Sequence, residues 1–309
     1  MRRRILIIYY SQSGDVARLA EALTNRLDPH HTDLVWERIL PRIDYPYPWP
    51  LYRFLDVFPE CVTGDPPEIH PPQFDANADY DLVIVAYQVW YLAPSLPIQA
   101  FMRSSHATVL RNKKVITLVG CRGMWHSASE AMKKLISGAG GIHIDNIVVQ
   151  HQGSPIATLI TTPRLLLTGK KDRFLGLMPP AGFRDRDIAS LSRFGERLTE
   201  KLETLKGPSR EPLFAGLQAV TVNQQLVFAE IIGFAIYRLW ARLTRRAGRA
   251  GDLRRAPLIW NFALLLVLTV PFVLVFSALA GLFARLLFPT KFHAYVNQLR
   301  SPSEPSTRH

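Results

Sequence analysis

The chain has 309 residues, 48% of them hydrophobic, and carries a net charge of +12. That length allows a globular core plus an additional segment, and so basic a balance calls for an acidic partner, nucleic acid or an anionic lipid surface. Only two cysteines, Cys61 and Cys121, are present, which excludes a disulfide framework and points to a reducing compartment.

Arg2 to Arg4 followed by Ile5 to Tyr10 imitates the start of a signal peptide, but the apolar run is too short and no small-residue cleavage site follows. The run is rich in β-branched and aromatic residues and reads as a strand buried on both faces. Ser11, Gln12, Ser13 and Gly14 come next, then Asp15 and a helix-period pattern through Val16, Leu19, Ala20 and Leu23. A strand, a small-residue turn and a helix N-terminus make an anion site, because free N–H groups converge there and the helix dipole favours negative charge. The plainer alternative is that Ser13 caps the helix.

Thr32 to Ile39 fits a second strand. Pro41 to Phe74 is dense in prolines interleaved with Tyr45, Tyr47, Trp49, Tyr52, Phe54 and Phe58, which excludes a long regular element. It is expected as an insertion (about 41–75), either a lid over a hydrophobic ligand or a loop held down by its aromatics. Tyr80 to Tyr87 is a third strand, with an exit loop from Gln88 through Val89, Trp90 and Tyr91 to Pro97 and a helix from about Ile98. Lys114 to Gly120 is a fourth, followed by the loop Cys121, Arg122, Gly123, Met124, Trp125 and His126. Ser127 is expected to cap the next helix, which Gly140 and Gly141 end. Ile142 to Val149 is the fifth strand, residues 152–184 an irregular second insertion, and Arg186 to Leu205 a final amphipathic helix.

Alternation of strand and helix five times predicts an α/β fold with a doubly wound parallel sheet. Ligands in such sheets sit at the carboxyl ends of the strands, at the switch point. An anion nest beside Trp90, Tyr91 and Trp125 suits a flat ring with a phosphate tail. No metal site is expected.

On these residues the chain resembles flavodoxin-fold proteins, close to the NAD(P)H-dependent FMN reductase and quinone reductase group, over roughly residues 3 to 205. The family's first loop reads Thr/Ser-x-Thr/Ser-Gly-x-Thr and holds the FMN phosphate. Ser11, Ser13 and Gly14 match it, whereas Val16 replaces the last Thr and Asp15 sets a carboxylate beside the phosphate, at a cost of roughly 1 kcal/mol or more unless it points away. Val89 and Trp90 match the family's second loop, and Cys121 to His126 its third. The resemblance implies FMN, with NAD(P)H as electron donor. The segment Tyr45 to Glu60 also resembles dialkylresorcinol condensing enzymes, which implies β-keto acyl intermediates and a ketosynthase or acyl carrier protein as partner. Cys121 and His126 are the candidates for nucleophilic or acid–base chemistry in that case, against the plain alternatives of a strand-end residue and a loop hydrogen-bonder.

Ala256 to Ala284 carries no charge and is longer than the ~20 residues a bilayer-crossing helix needs. Residues 256–288 are therefore expected as a transmembrane helix, kinked or re-entrant at Pro271, with Trp260 at the interface. Residues 207–255 form a basic linker in which Arg238, Arg242, Arg245, Arg246, Arg249, Arg254 and Arg255 stand directly before that helix. This favours lipid over nucleic acid and sets the domain (residues 1–206) on the cytoplasmic side of an inner membrane. Leu213 to Leu243 either lies in the interface, crosses as a second span, or packs on the domain. Residues 289–309 are read as a polar tail with a disordered end. The sum is a membrane-anchored flavodoxin-like oxidoreductase acting on a hydrophobic quinone or lipid precursor, with a dialkylresorcinol-type condensing enzyme and a tethered electron carrier as alternatives. Homo-oligomerisation is left open.

Overall fold

The computed structural model describes residues 2–206 and 211–302. The apolar runs become the strands β1 (Arg3–Tyr9), β2 (Thr32–Arg38), β3 (Leu82–Trp90), β5 (Lys114–Cys121) and β6 (Ile142–Gln150); β4 (Ala93–Pro94) is a two-residue strand antiparallel to the end of β3. The long strands are all parallel, in the order β2-β1-β3-β5-β6. This is the flavodoxin-like order, with its switch point between β1 and β3. Ile5 to Ile8 and Leu82 to Tyr87 are fully buried, because helices cover both faces. The helices α1 (Asp15–Thr24), α4 (Leu96–Arg103), α5 (His126–Gly138), α7 (Asp185–Ala189) and α8 (Ser192–Glu200) belong to these layers. The expected single helix at Arg186 to Leu205 is thus broken into α7, α8 and a 3-10 turn at Leu202–Lys206.

Both insertions carry helices. The first contains α2 (Leu51–Asp56) and α3 (Phe58–Thr63). It is folded down by its aromatics, with Trp49 and Phe58 buried. The second, expected to be irregular, contains α6 (Pro155–Thr168), capped by Ser154 Oγ accepting from Ala157 N at 3.2 Å, with Pro155 in the first turn. Pro at that position needs no N–H partner, and α6 continues through Pro163.

Three further helices follow: α9 (Val227–Ala247), α10 (Ala256–Leu287) and α11 (Pro289–Arg300). Leu213 to Leu243 packs on the domain. Phe214 N donates to Asp145 Oδ2 at 2.7 Å, Val148 N donates to Ala219 O at 2.9 Å, and Phe214 is fully buried. The α9–α10 hairpin is held to the first insertion by Arg255, which is fully buried and donates to Asp56 Oδ1 at 2.6 Å and Glu60 Oε1 at 2.7 Å. Phe262 stacks on Phe58 at 4.1 Å beside it. Arg245 and Arg254 pair with Asp65 and Asp252, so three arginines of the basic cluster are already engaged within the protein.

Helix α10 is long and apolar enough to cross a membrane. It runs unbroken through Pro271, without a re-entrant turn. Its outer face, including Leu264, Val267, Phe272, Phe276 and Phe283, is exposed. Its inner stripe meets the protein at both ends. Near the first, Ile259 and Phe262 are buried. Near the second, Ser277 Oγ accepts from Ala229 N at 2.8 Å and donates to Gln225 O at 2.6 Å. The segment read as a polar tail begins with α11, whose Phe292, Val296 and Leu299 are buried in the main core. The expected disordered end lies at residues 303–309, and 207–210 of the linker lie likewise, outside the described residues.

Candidate functional site

The β1–α1 corner is built as the small-residue turn requires. Gly14, at φ 85°, precedes α1 without a side-chain cap, and a Cβ there would meet nothing within 4 Å. Open space over a left-handed glycine at a helix N-terminus is a cradle for an anion. Ser11, not Ser13, ties the first turn: its Oγ accepts from Ala17 N at 3.2 Å. Ser13 Oγ donates instead to Asp15 Oδ2 at 3.0 Å. Asp15 is buried, and its Oδ1 takes Lys171 Nζ at 2.7 Å, with Arg18 at 3.8 Å. Its charge is therefore balanced by a lysine from the second insertion, a partner 156 residues away, which offsets the repulsion toward a phosphate that the sequence led us to expect. Val16 is buried in the core and offers the corner no side-chain donor.

The first insertion closes over this corner. Gln12 Nε2 donates to Pro46 O at 2.8 Å, and Gln12 Oε1 accepts from Trp49 Nε1 at 3.1 Å. Trp49 N donates to Leu166 O at 2.8 Å, joining the two insertions. Trp90 meets the rings of Tyr45 at 5.1 Å, Trp49 at 5.6 Å and Tyr10 at 5.9 Å, all edge to face, the favoured geometry for aromatic pairs. Burial pushes the Tyr10 and Tyr45 phenols up from their ordinary value, so both act as neutral hydroxyls. Val89 is part of the β3–β4 pairing, and the neighbouring Gln88 Nε2 is buried without a partner, a donor that calls for an acceptor.

Trp90 pairs with Ala93 across a two-residue turn in which Tyr91 (φ 48°) and Leu92 (φ 62°) are both left-handed. Such a turn normally takes Asn or Gly, and each bulky residue costs roughly 1–3 kcal/mol. It swings Tyr91 away from the sheet edge: its hydroxyl donates to Phe54 O and its ring lies against Phe54, Phe58 and Tyr237. Of the three expected ring walls, Trp90, Tyr91 and Trp125, Tyr91 is thereby withdrawn from the edge.

The third loop is largely internal. Trp125 is fully buried, 4.3 Å from the His126 ring, and Gly123 sits 3.8 Å from Leu226 by its would-be Cβ. Cys121 is buried and its thiol is pushed up by burial, which deprives it of the thiolate that nucleophilic chemistry needs. Arg122 reaches Pro155 O and Thr158 Oγ1 at 3.4 Å each and Met124 Sδ at 3.2 Å. No carboxylate pairs with it among the described residues. His126 begins α5 and faces away from the corner, toward Glu230 of α9, whose Oε2 lies 3.9 Å from its Nε2. Ser127 is not the cap; its N–H donates to Glu230 Oε1.

Lys171 and His151 also stand at this edge of the sheet, and no local pattern in the sequence marks either. His151 follows β6, its Nδ1 3.1 Å from Thr162 Oγ1, with its ring edge-on to Phe183 at 4.7 Å. Burial lowers its pKa to about 4, opposed by Asp15 and reinforced by Arg122 and Lys171. Asp15, Arg122, Lys171 and His151 thus share one electrostatic neighbourhood at the carboxyl edge.

No family model matches the sequence, and no curated protein sequence matches it. Solved structures overlap it partially. A flavoprotein in complex with FMN from Lactobacillus acidophilus NCFM is 21% identical and covers 47% of this chain and 93% of its own, with a TM-score of 0.40. A flavodoxin from the domain Archaea is 14% identical, covering 65% and 99%, with a TM-score of 0.36. A flavodoxin, WrbA-like protein from Agrobacterium tumefaciens is 12% identical, covering 66% and 99%, with a TM-score of 0.37. The class defined here, a flavodoxin-like α/β domain, rests on strand order and register rather than on these overlaps.

Proposed function

We propose that this chain is a membrane-attached flavodoxin-like flavoprotein, an oxidoreductase that holds FMN at the β1–α1 corner and acts on a hydrophobic substrate. The open cradle over Gly14 at the switch point carries this reading. The residues present fit the group. Ser13, Gly14 and the first turn of α1 would hold the phosphate, and Trp90 with Tyr45 and Trp49 of the first insertion would flank the ring. The unpartnered Gln88 Nε2 is a donor for a ring acceptor. When bound, FMN supplies one- or two-electron transfer. The protein's own part is to orient that group, to keep Lys171 against Asp15 so that the corner tolerates a phosphate, and to exclude water with the neutral aromatic cluster. NAD(P)H is the donor we favour, and turnover with it separates an oxidoreductase from a tethered electron carrier.

The attachment we propose is in-plane, on the cytoplasmic face. Helix α10 is about 48 Å long at 1.5 Å per residue. Contacts near both of its ends to one domain favour burial of its exposed face along the lipid rather than passage through ~30 Å of hydrocarbon. Clear flavin bands in the purified protein, or saturable FMN uptake lost in Gly14→Val, support the cofactor reading; no bands and no uptake overturn it. Sedimentation with vesicles, and protease removal of a tag after His309 from the same side as the domain, support the attachment. A full chain that stays in the supernatant overturns attachment, and a tag protected across the bilayer overturns its in-plane form.

A further inference from the structure

A cavity of about 530 Å³ lies between α3, α5, α9 and α11, and none of its lining comes from the β1–α1 corner or the β3 exit loop. Its volume falls within the range of small-molecule sites. Two of its lining groups are deeply buried and lack partners: both ring nitrogens of His126, and Glu230 Oε2. The 3.9 Å between them is too long for a hydrogen bond; Glu230 is held through its other oxygen by Ser127 N at 2.5 Å, whereas the buried His126 ring has both nitrogens unpaired, which is costly unless something reaches them. Val227, Ile231, Phe234 and Leu299 supply apolar walls. At the exposed margin stand Lys134, Arg238 and Arg242, none with a carboxylate partner among the described residues. Glu130, the other acid on the wall, is taken by Lys133 at 2.8 Å.

We propose that this cavity binds an amphiphilic anion: a carbon chain whose carboxylate or phosphate is held by Arg238, Arg242 and Lys134, and whose second oxygen function, a hydroxyl, bridges His126 and Glu230, accepting from the imidazole N–H and donating to the carboxylate. The arrangement is graded in the way such a ligand requires, with cations in water, hydrocarbon below them and one polar pair at depth. Burial lowers the His126 pKa to about 4 and raises that of Glu230. The imidazole is therefore neutral, one nitrogen donating and the other accepting, which suits an uncharged oxygen rather than a second anion. The site stands independently of FMN.

The test uses the full chain in nanodiscs of zwitterionic lipid, with equilibrium dialysis of 3-hydroxydecanoate, decanoate and decanol against empty discs. We expect saturable binding in the order 3-hydroxydecanoate, decanoate, decanol. Arg238→Gln with Arg242→Gln should weaken both carboxylates about tenfold and leave decanol unchanged. Ala131→Trp, which fills the cavity from α5, should abolish all three while FMN uptake persists. Displacement of the probe by discs containing an anionic phospholipid assigns the anion to a lipid head group; no displacement assigns it to a free amphiphile. Binding no greater than to empty discs, or equal binding by wild type, the double variant and Ala131→Trp (adsorption to the outer face of α10 only), overturns the proposal.

Discussion

Of the carboxylate–cation contacts that join distant parts of this chain, those of Arg255 and Lys171 are built differently. Arg255 is fully buried, donates to both Asp56 and Glu60, and clamps the α9–α10 hairpin to the first insertion. Lys171 has a side chain 43% exposed, meets Asp15 at 2.7 Å, and ties the second insertion to the β1–α1 corner. One has a geometry that water cannot replace. The other has water and Arg18 at hand, and an anion arriving at Gly14 would share its lysine. The first contact maintains architecture, whereas the second can answer to a ligand.

Removing Arg255 is the harshest way to try this contrast. Arg255→Ala leaves two buried carboxylates without their cation, a loss of about 3–5 kcal/mol for a broken buried ion pair. Denaturant unfolding should show that loss, and proteolysis should open the Arg249–Asp252 loop first. A change below about 1 kcal/mol would place Arg255 among ordinary surface pairs.

Acid probes the corner at intermediate strength. His151 is buried neutral, with its pKa lowered from 6.5 to about 4. The unfolded chain takes up its proton first, so this contribution is intact above pH 6.5, falls away between pH 6.5 and 4, and changes no further below. At 1.36 kcal/mol per unit the loss is about 3 kcal/mol. His151→Gln should flatten that part of the stability–pH curve by the same amount. His126 and His143 are lowered likewise, to about 4 and about 3, and remain to give the residual slope.

The same contrast separates what could be read in the sequence from what could not. The β strands and the Ser11–Gly14 turn declare themselves through local pattern: a buried parallel strand is an apolar run, and a βα corner needs small residues. Helix α6 had a legible start in Ser154 and Pro155, obscured by Pro163 inside it. Nothing local marks Arg255, because its partners lie 199 and 195 residues away, and the same holds for Lys171 and Glu230. Tyr91 and Trp125 looked like ring walls because adjacency to a loop was legible while direction was not. The left-handed turn at Tyr91–Leu92 decided the first, and packing of Trp125 against His126 the second.

A smaller effect concerns affinity. Asp15→Asn removes a negative charge beside the phosphate while Ser13 and Lys171 remain. Easing like-charge repulsion by about 1 kcal/mol should tighten FMN about fivefold in a fluorescence titration. Weaker binding would mean that Asp15 organises the corner through Ser13 and Lys171 more than it repels the ligand.

The smallest expected effect is the most telling. Lys171→Ala should change stability by less than about 1 kcal/mol, since a half-exposed pair contributes little and Arg18, 3.8 Å from Asp15, inherits the partner. FMN affinity should nevertheless fall, because Asp15 then faces the phosphate with a weaker counter-charge, and raising the salt concentration should narrow the gap from wild type by screening that repulsion. A melting curve that barely moves beside a titration that shifts is the pattern of a ligand-responsive contact. A stability loss on the scale of Arg255→Ala would make the two contacts one kind.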